Sequence, residues 1–126
     1  MNTYLIMATC LTVFLGIAHS IIGEVLIFKH WRQGGASKAA LGSKLPLRHK
    51  RILWSTWHLA SVFGWGISAI LFKFSLSQEA IPLEGYIKNT LAYTMMVGGV
   101  LVLAGTRGRH PGWLVLLVIA VLIWVS

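Results

Sequence analysis

The chain has 126 residues, enough for one domain. Hydrophobic residues make up 56% of it and charged residues only 11%, far below the quarter or so that a soluble domain places on its surface. Eleven Lys and Arg against three acidic residues give a net charge of +8, but these charges fall between apolar runs, so they read as a topology signal and an attraction to membrane lipids, not as a nucleic-acid surface.

Taken in chain order, the first apolar segment runs from Tyr4 to Phe28. It has no basic n-region, which argues against a cleaved leader, and Cys10 has no partner cysteine for an internal disulfide. Thr9, Thr12, Gly16, His19, Ser20, Gly23 and Glu24 recur at three- and four-residue spacings. At 3.6 residues per turn they form one stripe of small and polar side chains. Small residues on such a stripe admit a neighbouring helix, but packing alone does not account for His19 and Glu24. Ionisable groups inside an apolar helix are expensive and usually face the protein interior.

The connection from Lys29 to Arg51 carries seven Lys and Arg and no acid: Lys29, Arg32, Lys38, Lys44, Arg48, Lys50 and Arg51. Its cluster Arg48-His49-Lys50-Arg51 reads as a lipid-headgroup anchor, and 29–51 is expected to be a cytoplasmic loop. The second helix follows at 52–74, with Trp54, His58, Ser61, Trp65, Ser68 and Phe72 on one side. A connection containing Glu79 and Glu84 leads to a third helix at 86–104. The turn with Arg107 and Arg109 leads to a fourth at 110–125, which Pro111 suits in its first turn. The positive-inside rule puts the first and third connections in the cytoplasm, and four spans then put both chain ends outside. The expected fold is therefore all-α, an integral membrane four-helix bundle, N-out/C-out.

His19 lies about 13 Å from the cytoplasmic end of its helix and His58 about 9 Å from the same end of the next. Glu24 lies nearer the surface, and His110 opens the fourth helix on that side. These four groups are expected to meet. The first expectation is a haem b with His19 and His58 as axial ligands, or a transition metal held by His19, Glu24, His58 and His110. A small proton-coupled transporter working through Glu24 is the alternative, and a structural or assembly subunit, with the polar groups as interhelical glue, the third. No catalytic motif is present. Membrane lipids, a second copy of the chain or larger membrane-complex subunits are the expected partners, and nucleic acid is not one.

His19-Ser20-x-x-Gly23-Glu24, Trp57-His58-x-x-Ser61 and Arg107-Gly108-Arg109-His110-Pro111-Gly112-Trp113 resemble a group of small, uncharacterised four-span bacterial inner-membrane proteins. The chain more distantly resembles the small multidrug resistance exporters, which have four short helices and a membrane-embedded Glu in the first. Here Glu24 stands near the end of its helix, not at mid-span.

Overall fold

The computed structural model describes residues 2–29, 45–76 and 83–126, and these are all-helical. Four helices follow one another: α1 (Thr3–Phe28), α2 (Leu47–Ser75), α3 (Leu83–Thr106) and α4 (Gly112–Val125). Asn2 starts α1 by accepting the otherwise unpaired N–H groups of Tyr4 and Leu5 on its side-chain oxygen, at 3.1 and 3.3 Å. The last turns of α1, Gly23–Phe28, are π-helical. Pro46 opens α2 at Leu47, so the basic cluster at 48–51 is the first turn of that helix and not the end of a loop. Arg32, Lys38, Lys44 and Glu79 lie outside the described residues.

The chain reverses between α3 and α4 at Arg107 and Gly108, whose φ angles of 53° and 73° are left-handed. The N–H of Gly108 closes the end of α3 on the carbonyl of Leu103 at 3.0 Å. Gly108 takes this conformation without penalty, whereas Arg107 carries a Cβ there.

Each helix packs antiparallel on its chain neighbour: α1 on α2, α2 on α3, and α3 on α4. Apart from Phe28 and Val102, what is buried is small or polar. Ser55, Ser61, Ser68 and Ser75 of α2 are all at most 3% exposed, and their near-seven-residue spacing keeps one seam facing the neighbours. Large apolar side chains such as Leu11, Phe14 and Leu15 on α1 point outward, each more than 60% exposed. This inverts the arrangement water imposes and fits a hydrocarbon surrounding, in which close approach through small residues holds helices together. Three helices, α1, α2 and α3, are long and apolar enough to cross a membrane. The 14 residues of α4 carry no polar side chain, but they reach only about 21 Å.

Candidate functional site

The site lies between α1 and α2. Tryptophans of α2 donate their indole N–H groups to α1 at three levels: Trp65 to the Val13 carbonyl (3.4 Å), Trp57 to the His19 carbonyl (2.9 Å) and Trp54 to Glu24 Oε2 (3.0 Å). Glycines make room for two of them. A Cβ on Gly16 would stand 2.5 Å from Trp65 Nε1, and one on Gly23 would collide with the Trp57 indole. Gly16 and Gly23 therefore serve packing.

The His19 carbonyl accepts from Trp57 and also from the Gly23 N–H, which is shared with the Ser20 carbonyl. The helix widens at this point, and the Lys29 N–H reaches back five residues to the carbonyl of Glu24. Glu24 is the second residue of the widened segment.

Glu24 Oε2 is 3.7 Å from His58 Nε2, an ion-pair distance longer than a direct hydrogen bond. The other ring nitrogen of His58, Nδ1, is 3.0 Å from the Ser20 hydroxyl, which is 2.9 Å from the Ser61 hydroxyl. Trp54 packs edge-on against the His58 ring, with centroids 4.6 Å apart. A hydrogen-bonded chain thus runs from Ser61 through Ser20 to His58, and Glu24 lies at ion-pair distance from its end.

The hydroxyls of this chain can point either way. When Ser20 donates to Ser61, His58 Nδ1–H donates to Ser20 and the Nε2 lone pair faces Glu24. A lone pair opposite a carboxylate is repulsive, so this arrangement is favourable when a proton rides on Nε2 or on the carboxyl group. When Ser61 donates to Ser20 and Ser20 to Nδ1, Nε2 carries its own hydrogen toward an ionised carboxylate. The two hydroxyl arrangements thus turn either the lone pair or the hydrogen of His58 Nε2 toward Glu24.

His19 stands apart from this chain. Its ring lies flat on Trp57, with centroids 4.3 Å apart and planes 6° from parallel. It lines an open, mostly apolar groove of about 410 Å³ with Ile27, Phe28, Leu53, Thr56, Trp57 and Ala60. Among the described residues, Nε2 of His19 and Nε2 of His58 are both buried without a hydrogen-bond partner. Phe28 stands beside the Trp57 and His58 rings, 6.1 Å from each.

His110 belongs to a different place. Its Nδ1 accepts the N–H of Gly112 at 3.1 Å, and it lines a small cavity with Arg48, Arg51, Ile52, Thr106 and Arg109. Of the four groups expected to meet, the structure brings Glu24 and His58 together. Among the described residues no three His, Cys, Asp or Glu side chains are close enough to hold a metal ion. Lys50 and Arg107 do not line the cavity.

Trp57 is the residue whose role composition and spacing did not reveal. Its signal was available: Gly16 and Gly23 are seven apart on α1, and Trp65 and Trp57 are eight apart on α2, so each glycine has an indole at its level in an antiparallel pair.

Comparison with protein-family models, with curated proteins and with solved structures gives no match. The functional reading rests on the side chains themselves.

Proposed function

We propose that the chain is a multi-pass protein of a bacterial cytoplasmic membrane, with both ends outside, in which the Glu24–His58 pair exchanges a proton in step with a bound substrate. It is a small proton-coupled transporter. The observation that carries this reading is the hydrogen-bonded chain Ser61–Ser20–His58, with Glu24 3.7 Å from its end in a π-helical turn. A carboxylate and an imidazole inside an apolar helix pair are costly and mark proton or ion pathways. Segments of π-helix are frequent at functional sites. The groove lined by His19, Phe28 and Trp57 offers an apolar surface to a substrate, and Phe28 also stands beside the His58 ring.

The test needs no knowledge of the substrate. Infrared difference spectra of the protein in bilayers, recorded between acid and neutral pH, are expected to show a carboxyl C=O band that Glu24→Gln removes and His58→Gln shifts. Glu84→Gln serves as the control. A Glu24 that shows no protonation change, or one indifferent to His58, overturns the reading.

A specific observation keeps a second reading in play. Buried imidazole nitrogens normally find a partner, and among the described residues Nε2 of both His19 and His58 has none. An iron or other metal accepting these lone pairs would satisfy both, as in a haem b protein. Oxidised and dithionite-reduced optical spectra with metal analysis decide it: a Soret band or stoichiometric metal lost in both His19→Ala and His58→Ala supports the cofactor, and neither signal dismisses it.

A further inference from the structure

Three arginines from two separate elements meet at one end of the molecule. Arg48 and Arg51 come from the first turns of α2, and Arg109 from the turn between α3 and α4. With Ile52, Thr106 and His110 they line a cavity of about 10 Å³. Among the described residues no carboxylate lines it. The chain has three acidic residues. Glu24 is engaged with Trp54 and His58, Glu84 lines a different cleft with Lys88 and Trp124, and Glu79 lies outside the described residues.

The charges also sit at the wrong end of their helix. The N-terminus of an α-helix carries about half a positive charge and favours anions, yet α2 opens Leu47-Arg48-His49-Lys50-Arg51. Like charges gathered at the positive end of a 29-residue helix repel one another and the dipole. An external anion relieves both.

The lining residues indicate which anion. Arginine presents a rigid fork of N–H donors that matches phosphate oxygens, and three such forks exceed what one carboxylate can accept. His110 adds a donor: its Nδ1 already accepts from Gly112, so the hydrogen of the neutral ring is on Nε2. Thr106, 3% exposed, spends its hydroxyl hydrogen on the Val102 carbonyl at 2.6 Å and forms a wall of the cavity. The volume admits one oxygen-sized group, so the rest of the anion stays at the mouth beside the exposed Arg48 and Arg109 and the half-buried Arg51.

We propose that Arg48, Arg51, Arg109 and His110 form a binding site for a phosphate monoester. One phosphate oxygen enters between Thr106 and His110, and the guanidinium groups hold the others. The same chemistry is presented by the headgroup of phosphatidic acid and by a soluble phosphate compound.

The experiment measures both sources on the full chain in phosphatidylcholine nanodiscs. Native mass spectrometry counts dioleoyl phosphatidic acid retained per chain when this lipid is mixed into the discs. Isothermal titration measures binding of inorganic phosphate and of glycerol 3-phosphate. Arg51→Gln with Arg109→Gln is expected to weaken the bound species by roughly tenfold or more, from the loss of charge-assisted hydrogen bonds. Arg51→Lys, which keeps the charge and loses the fork, is expected to weaken it less. Arg107→Asn, which tolerates the left-handed turn and does not line the cavity, is expected to change nothing. Retention of phosphatidic acid over phosphatidylcholine, lost in the double variant, supports a lipid source. Binding of the soluble phosphates with the same loss supports a soluble one. Binding of neither, or binding indifferent to Arg51 and Arg109 in a variant of unchanged helicity, overturns the site.

Discussion

Trp57 binds His19 twice: its indole N–H donates to the His19 carbonyl at 2.9 Å, and its ring lies on the His19 imidazole with centroids 4.3 Å apart. The contact ties α2 to the backbone turn at which α1 becomes π-helical, and Glu24 lies just beyond that turn. Helix packing and the position of the carboxylate are thus coupled through one side chain.

Gly23→Ala tests that coupling. The added methyl collides with the Trp57 indole, and overpacking of this kind costs about 1–3 kcal/mol. Thermal unfolding in detergent is expected to show the loss, and Trp57→Leu in the same chain is expected to restore part of it. An unaltered midpoint in Gly23→Ala would mean that α1 and α2 are held some other way.

Trp54→Phe keeps the ring against His58 and removes the N–H that donates to Glu24. A hydrogen bond to a charged group contributes about 1.5–3 kcal/mol, so the ionised carboxylate loses a specific partner. In infrared spectra the carboxylate stretching bands of Glu24 are expected to shift from their wild-type positions, and unaltered bands would mean that this contact is not made.

Ser20→Ala interrupts the proton path between Ser61 and His58. Interhelical hydrogen bonds in membranes average about 0.6 kcal/mol, so the thermal midpoint is expected to move little. Proton exchange at Glu24, followed by time-resolved infrared after a pH jump, is expected to slow. Unchanged kinetics with an unchanged band would remove the serines from the path.

His19→Phe separates the two functional readings. Phenylalanine can keep the stack on Trp57 and cannot ligate a metal. The proton reading expects the Glu24 band to survive this change, whereas the cofactor reading expects bound metal or haem to disappear.

The proposed orientation is checked with single cysteines. In a Cys10→Ser background, thiols introduced at Asn2 and Ser126 are expected to react with an impermeant maleimide on intact cells, and one at Lys50 only after the membrane is opened. The reverse pattern would invert the topology.

Apolar runs broken by one-signed charge were enough to read four helices, their order and their antiparallel neighbours, because backbone groups in an apolar stretch must bond within the segment. The stripe from Thr9 to Glu24 and the facing row from Trp54 to Ser68 were also legible, since helical period fixes which residues share a side. The start of α2 was not, because a basic cluster reads equally as the end of a loop or as a first helical turn.

What only the tertiary structure decided is which of the polar groups meet. His19 and Ser20 are neighbours in sequence but about 100° apart around the helix. One turns to Trp57 and the groove, and the other to Ser61 and His58. Depth in a helix could suggest that His19, Glu24, His58 and His110 lie near one end. Depth carries no azimuth, and the azimuth was set by indole rings filling the space above glycines and by a π-helical turn that shifts every residue after it. The same reasoning explains His110: the left-handed turn at Arg107 and Gly108 brings it beside Arg48 and Arg51, a neighbourhood that no spacing in the sequence encodes.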